Sequence, residues 1–273
     1  MKILFIGDIF ASTGRRAVQE ILPNLKKSEH IDFVIANAEN TTNCKGLSIE
    51  HYKDLMSYGV DFFTMGNHTW SRKEIYEILD TQPNIIRPFN VNTLHDFGKH
   101  GIGSRVVEVQ GKTIRITNLL GSSVHFNEIQ TNPFFVLQSL VRNEKKTDFH
   151  IVDFHAETTA EKSALFYEFK GKVDAILGTH THIQTADNRI RKHTAFITDV
   201  GSTGPADGII GGKAELMVNR FKGINERIIL EEQGGYFQFC AVILDLDTEN
   251  NVVTDIKRVY IYEEDLINQN KVN

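Results

Sequence analysis

The sequence is poor in cysteine and has no long hydrophobic run. Cys44 and Cys240 are its only cysteines among 273 residues. They lie too far apart in sequence to suggest a disulfide staple, so we expect two reduced thiols. No apolar stretch approaches the roughly 20 residues that a membrane-spanning helix needs. The apolar run Ile3–Ile6 is also too short for the core of a secretion signal. These absences predict a soluble, cytoplasmic protein with no membrane partner.

Several catalytic and nucleotide-binding motifs are missing as well. The segment Asp207–Lys213 ends in the Gly-Lys of a phosphate-binding loop, but it begins with Asp207 instead of glycine, and Ala214 replaces the hydroxyl residue. Gly101–Gly103 lacks the third glycine of a dinucleotide-binding turn. There is neither a G-x-S-x-G nor an H-E-x-x-H sequence. The formal net charge of -5 argues against a protein that mainly grips a nucleic-acid backbone, although a small anionic substrate stays compatible with it.

Short apolar runs alternate with helical patterns along the first part of the chain, and strands predominate towards its end. With 41% hydrophobic and 24% charged residues, the chain can bury a core without disulfides. The predicted strands are Lys2–Ile6, Phe33–Ala36, Phe62–Met65, Arg105–Val109, Thr113–Leu119, Phe149–Phe154, Ala175–Leu177, Ala195–Thr198, Arg227–Glu231, Tyr236–Leu246 and Val252–Tyr262. The predicted helices are Gly14–Lys27, Ile49–Tyr58, Arg72–Leu79, Pro133–Val141, Glu161–Phe169 and Ala214–Phe221. This order predicts an α/β fold with two packed mixed β-sheets flanked by helices, and residues 1–273 are predicted to form a single domain.

Polar side chains follow five of the predicted strands. They are Asp8, Glu39 and Asn40, Asn67 and His68, His155, and His180 with His182. Because the carboxyl ends of parallel strands meet at one edge of a sheet, we expect these groups to share a crevice. Oxygen and imidazole donors suit iron, manganese or zinc, and a carboxylate such as Glu39 can bridge two ions about 3.5–4 Å apart. On an extended segment, the rings of His180 and His182 would point the same way.

Each of these residues has a structural explanation when it is taken singly. Asp8 could cap the following helix, Asn67 and His68 could be turn residues, and His155 could be a hydrogen-bonded core histidine. Packing gives little reason for two histidines as close as His180 and His182. The whole set is harder to explain structurally than any single residue, because unrelated structural residues would not all fall at strand ends. The sequence therefore favours a metal centre.

Several other residues could support this set. Asp187, Asn188 and Asp199 could orient the histidines or be purely structural. The helix start at Gly14-Arg15 could attract a phosphate. The other histidines are predicted to be surface or loop residues: His30, His51, His95, His100, His125, His150 and His193.

The motifs resemble those of the calcineurin-like metallophosphoesterases. Gly7-Asp8, the run Gly66–Thr69 and the run Gly178–His182 correspond to three of that superfamily's motifs. Phe10 replaces the usual histidine of Asp-x-His, and Glu39 replaces a central aspartate. These departures are similar to the bacterial YmdB-like family, as are the segments NAEN, MGNHTW, DFHAE, GTHTHIQTADNRI, ITDVGSTGP and DGIIG. The run Ser122–Thr131, predicted to be a loop, departs more from that family.

The resemblance implies a metallophosphoesterase-like four-layer sandwich and two metal ions, iron or manganese. One ion would be held by Asp8, Glu39, Asn40 and His182, and the other by Glu39, Asn67, His155 and His180, with Glu39 shared. The implied reaction is hydrolysis of phosphodiesters such as 2′,3′-cyclic nucleotides. A metal-bound hydroxide would attack phosphorus, and His68 would donate the proton.

Two alternatives stay open at this point. One is a phosphomonoesterase that acts on small metabolites or phosphoproteins, and turnover of p-nitrophenyl phosphate against 2′,3′-cyclic AMP would separate the two activities. The other is a metal-containing regulatory or RNA-associated protein with little turnover. A homo-oligomer is compatible with the sequence.

Overall fold

Strands and helices alternate through most of the computed structural model, which describes residues 1–91, 99–126, 130–224 and 229–272. The strands are β1 (Lys2–Ile6), β2 (Asp8–Ile9), β3 (Phe33–Asn37), β4 (Phe62–Thr64), β5 (Ser104–Val109), β6 (Lys112–Leu120), β7 (Phe149–His155), β8 (Ala175–Thr179), β9 (Arg189–Arg191), β10 (Thr194–Ile197), β11 (Ser202–Pro205), β12 (Phe237–Asp247) and β13 (Val252–Tyr262). The helices are α1 (Ala11–Ser28), α2 (Ile49–Tyr58), α3 (Glu74–Thr81), α4 (Pro133–Asn143), α5 (Thr159–Phe169), α6 (Ala214–Phe221) and α7 (Glu263–Val272), with a 3₁₀ turn at Thr69–Ser71.

The strands form two mixed sheets. The first sheet has the order β2-β11-β12-β1-β3-β4. Its seventh strand, β13, lies outside this order and pairs antiparallel with β12. Within it β1, β3 and β4 are parallel, whereas β12 runs antiparallel to β1. The second sheet has the order β5-β6-β7-β8-β10-β9, and its four central strands are parallel. Parallel neighbours place the carboxyl ends of these strands at one edge of each sheet.

The two faces of β1 enter different layers of the protein. Ile3 and Phe5 belong to the core between the sheets, and their neighbours in sequence, Leu4 and Ile6, pack with α1 through residues such as Val18. On the far side, alternate residues of β7 contact a third cluster that includes helix α5. The layers are therefore helix, sheet, sheet and helix, which confirms the predicted four-layer α/β arrangement.

Most predicted elements are present with ends shifted by a few residues, and two kinds of difference stand out. Ile229–Glu231 was predicted to continue a strand but does not form one, and Arg227 and Ile228 lie outside the described residues. The short strands β2, β9 and β11 and helix α7 were not predicted, because pieces of two to four residues or a polar helix carry little hydrophobic periodicity. His95 and residues 127–129 of the predicted loop Ser122–Thr131 also lie outside the described residues.

Across the described ranges, no helix is both long and apolar enough to cross a membrane.

His150 was predicted to be a surface or loop residue, and that prediction is wrong. The side chain is buried in β7, and its Nε2 lies 2.9 Å from the hydroxyl of Thr117. Burial, together with the charge of Arg115, lowers the pKa of His150 to about 3.

This burial predicts an acid-sensitive contribution to stability. Because the folded pKa lies below that of the unfolded chain, protons bind the unfolded state as pH falls from about 6.5 towards 3. We expect the wild type to lose about 2 kcal/mol of unfolding free energy between pH 7 and pH 5 from this residue alone. In His150→Gln, urea titrations across this range should lack that component. His125→Gln, at an exposed position, is the matched control; identical pH profiles for all three proteins would contradict the prediction.

Candidate metal centre

The predicted site residues come together where strands of both sheets end. Asp8 lies in β2, Glu39 and Asn40 follow β3, and Asn67 and His68 follow β4. From the second sheet, His155 is the last residue of β7, and His180 and His182 follow β8. These residues therefore lie at the carboxyl ends of strands from both packed sheets.

Three polar groups converge on one nitrogen of His155. Its Nε2 lies 3.2 Å from Glu39 Oε1, 3.0 Å from Asn67 Oδ1 and 3.0 Å from His180 Nδ1. A ring nitrogen offers either one hydrogen or one lone pair, so it cannot satisfy three partners at once. Ligand atoms of Glu39, His155 and His180 all lie within 4.8 Å of one another, and such a convergence of donors is typical of a metal site.

A second group of side chains lies beside the first and shares Glu39 with it. Nδ2 of Asn40 is 3.1 Å from Glu39 Oε1 and 3.2 Å from His182 Nε2. His182 Nε2 is also 3.9 Å from Asp8 Oδ2. Within the described part of the chain, the buried Oδ1 atom of Asp8 has no hydrogen-bond partner. An orphaned carboxylate oxygen is costly to bury, so this atom also calls for a cationic partner.

Burial and mutual contact shift the pKa values of these groups in opposite directions. Burial raises the pKa of Asp8 well above its usual value, although His155 opposes this. Burial alone would also raise the pKa of Glu39, but the adjacent His155 holds it well below the usual range. Burial tends to lower the pKa of His155, yet Glu39 and Asp8 raise it to about 9. Burial and His155 together lower the pKa of His180 to about 3. The protein thus buries two carboxylates beside imidazoles, an environment that favours divalent cations.

Gly66 shows how closely the chain approaches this cluster. A Cβ atom at this position would lie 2.4 Å from Glu39 Oε2 and 2.4 Å from His155 Nε2, so only glycine fits. The close backbone approach, the Asp8 oxygen that has no hydrogen-bond partner among the described residues, and the nitrogen and oxygen donor set together fit divalent metal ions.

The segment that carries His180 and His182 is not extended, so the predicted reason for their common direction is wrong. β8 ends at Thr179, and the two histidines have φ values of 101° and 68°. Such left-handed conformations cost of order 1–3 kcal/mol and persist only where surrounding contacts enforce them. One such contact is the hydrogen bond from the His180 backbone N–H to Asp8 Oδ2, at 2.9 Å. The turn directs His180 to the group around His155 and His182 to the group around Asn40.

A buried ion pair holds the residue between these two histidines. The carboxylate of Asp199 accepts hydrogen bonds from the backbone N–H and the hydroxyl of Thr181, at 3.0 and 2.7 Å. The same carboxylate lies 2.6 Å from Nζ of Lys162, and both charged side chains are completely buried. Of the three residues predicted for support, Asp199 therefore contacts the histidine turn. Asp187 bonds Thr185, Thr198 and Arg189, and Asn188 bonds the Ile256 carbonyl.

Three further groups contact the clustered histidines, and sequence reasoning missed them. His155 Nδ1 lies 2.9 Å from the hydroxyl of Thr179, which donates to Asp153. His182 Nδ1 lies 3.0 Å from the Ile210 carbonyl. His180 Nε2 lies 2.7 Å from Oε2 of Glu157. Thr179 could have been suspected from its place next to His180, but nothing in the sequence distinguishes Glu157 from other exposed glutamates.

Helix α1 begins differently from the expectation. Its N-cap residue is Phe10, so Asp8 is not a helix cap. The backbone N–H groups of Ser12 and Thr13 donate to the carboxylate of Glu232. This carboxylate therefore lies at the helix start, where a phosphate was expected. Arg15 donates to the Thr41 carbonyl at 2.7 Å and so fastens the loop that follows Asn40.

The fold is of the metallophosphoesterase type. The fold alone is shared with a 5′-nucleotidase precursor from Thermus thermophilus, at 11% identity and a TM-score of 0.56 over 96% of this chain and 54% of that chain. The family model described as YmdB-like protein matches residues 4–259. The chain belongs to the YmdB-like family.

Two relatives are similar over nearly their whole length. The 2′,3′-cyclic-nucleotide 2′-phosphodiesterase of Bacillus subtilis strain 168 is 41% identical over 267 residues, which cover 97% of this chain and 98% of that protein. The crystal structure of a novel phosphatase from Mycoplasma pneumoniae matches with 41% identity and a TM-score of 0.93, over 96% of this chain and 94% of that chain. The prediction of a phosphoesterase, a hydrolase that acts on ester bonds, is confirmed at the level of this class.

Proposed function

We propose that the chain is a two-metal phosphodiesterase that hydrolyses 2′,3′-cyclic nucleotides. The observation that carries the proposal is the convergence of Glu39, Asn67 and His180 on a single nitrogen of His155, with Asp8, Asn40 and His182 beside them. The substrate is taken from the Bacillus subtilis relative, whose name states that activity.

The proposed ligands fall into two groups that share one carboxylate. Asp8, Asn40 and His182 would hold one ion, Asn67, His155 and His180 would hold the other, and Glu39 would contact both. Because the set contains oxygen and imidazole donors and no thiolate, we propose iron or manganese. When bound, two cations lower the pKa of a water molecule towards neutrality and stabilise the attacking and leaving oxygens of a phosphoryl displacement.

We propose His68 as the proton donor to the ribose oxygen that leaves phosphorus. Its backbone N–H donates to Glu39 Oε2 at 2.8 Å, which fixes the residue at the edge of the carboxylate cluster. His68 is the N-cap residue of the 3₁₀ turn Thr69–Ser71 and is partly exposed. A donor there would protonate the departing oxygen while the diester opens to a phosphomonoester.

A phosphomonoesterase activity is the second candidate, because the Mycoplasma pneumoniae relative is described as a phosphatase. Turnover of 2′,3′-cyclic AMP and of p-nitrophenyl phosphate on the same metal-loaded preparation separates the two. A larger kcat/KM for the cyclic diester supports the proposal, and a larger value for the monoester supports the alternative. The cytoplasmic location and a homo-oligomeric state stay predictions.

The test of the mechanism is His68→Ala. We expect near two metals per chain, as in the wild type, and a fall in kcat for 2′,3′-cyclic AMP of about 10²–10⁴-fold, since general acid catalysis is usually worth that much. His100→Ala, at a surface histidine paired with Asp80, is the control and should retain full activity. Full turnover in His68→Ala would rule out the proton-donor role. A wild type without bound metal or activity would rule out the two-metal proposal itself.

A further inference from the structure

The ring of His180 spans the distance between the ligand cluster and an exposed carboxylate. Its Nδ1 lies 3.0 Å from His155 Nε2 inside the cluster. Its other nitrogen, Nε2, lies 2.7 Å from Oε2 of Glu157. Glu157 follows β7 two residues after His155. The end of this strand therefore supplies both His155 and the carboxylate that contacts His180.

The hydrogen bond to Glu157 selects one form of the neutral imidazole. A neutral histidine carries a single N–H, and a carboxylate can only accept. The hydrogen therefore resides on Nε2 of His180, and the lone pair of Nδ1 faces His155. Without Glu157, the hydrogen is free to move to Nδ1, which leaves no lone pair towards the cluster.

We propose that Glu157 is a positioning residue that fixes the tautomer and the ring orientation of His180 for metal binding. This inference rests on the proposed metal centre. The ring needs such a restraint because the backbone of His180 has a φ of 101°. A backbone conformation of this kind persists only where surrounding contacts enforce it. A carboxylate that accepts from the second nitrogen of a ligand histidine typically improves metal affinity 10- to 100-fold.

The position of Glu157 makes a purely structural role distinguishable. Its side chain is 57% exposed, and exposed ion pairs contribute little to the free energy of unfolding. Removal of the carboxylate should therefore change metal affinity without changing the urea midpoint of the metal-free chain. Glu144 offers a matched control, since its side chain is also 57% exposed and contacts Arg115 at 3.5 Å.

The first measurement is titration of the full-length, metal-free chain with Mn²⁺ alone. We expect Glu157→Ala to bind Mn²⁺ about 10- to 100-fold more weakly than the wild type at one of two sites. Glu157→Gln keeps an oxygen that accepts the N–H, so it should recover most of the affinity. Glu144→Ala should bind like the wild type. Equal Mn²⁺ affinity in Glu157→Ala and the wild type would overturn the proposal.

The second measurement reads the tautomer of His180 directly, by ¹⁵N NMR of the imidazoles in the metal-free chain. We expect the Nε2–H form in the wild type and in Glu157→Gln, and a mixture of tautomers in Glu157→Ala. An unchanged Nε2–H signal in Glu157→Ala would overturn the role of the carboxylate even if the wild type binds metal and is active. A wild type that binds no Mn²⁺ would instead refute the metal centre, so the two failures are distinguishable.

Discussion

Replacement of Glu39 by glutamine should abolish most phosphoesterase activity while the fold is retained. Glu39 contacts both groups of proposed ligands, through Asn40 and through His155. A neutral amide with a single oxygen cannot bridge two cations, so the variant should lose at least one metal per chain. We expect kcat/KM for 2′,3′-cyclic AMP to fall by more than about 10³-fold, which corresponds to roughly 4 kcal/mol of transition-state stabilisation.

The measurement combines metal content per chain, far-ultraviolet circular dichroism and hydrolysis of 2′,3′-cyclic AMP. Asp80→Asn is the control, because this carboxylate lies on the surface, where it is paired with His100. It should leave all three quantities unchanged. If Glu39→Gln retains both metals and wild-type turnover, Glu39 is not the shared ligand.

The Lys162→Met variant should be strongly destabilised. The ammonium group of Lys162 lies 2.6 Å from Asp199, and neither side chain is accessible to solvent. Loss of the cation leaves a buried carboxylate without a counterion, which typically costs about 3–5 kcal/mol. We expect a loss of this size in the free energy of unfolding, measured by urea denaturation. Activity should also fall at temperatures where the variant is folded, because Asp199 holds Thr181 between His180 and His182.

Two further variants separate charge burial from the loss of a side chain. Lys172→Met makes the same substitution at a lysine that forms an exposed ion pair with Glu168. We expect its free energy of unfolding to change by no more than about 1 kcal/mol. The double variant Lys162→Met/Asp199→Asn removes both charges and should recover part of the lost stability, since no unpaired charge stays buried. Activity should not recover with it. A Lys162→Met protein as stable as Lys172→Met would show that the buried pair contributes nothing.

The central strands were predictable because both of their faces are buried. In β1 and β7 every residue but Lys2 is buried, so neither strand shows a regular alternation of apolar and polar residues. Helix α2 has residues at both ends that are typical of helix ends. Ser48 is its N-cap, and Gly59 follows the last turn in a left-handed conformation. The short strands β2 and β11 are formed by pairing, β2 with β11 and β11 also with β12, and no local sequence signal indicates such partners.

The sequence by itself determined which residues meet at the site. Polar side chains that follow apolar strands are carried to one edge by the parallel pairing of those strands, so Asp8, Glu39, Asn67, His155 and His180 could be grouped from the strand pattern alone. Only the tertiary structure decided how the histidines are held. Their left-handed turn depends on contacts from Asp8, Asp199 and Glu157, which are remote in sequence or ordinary in type. Hydrogen bonds between distant segments leave no periodic trace in the chain, because their partners are brought together only when the two sheets pack.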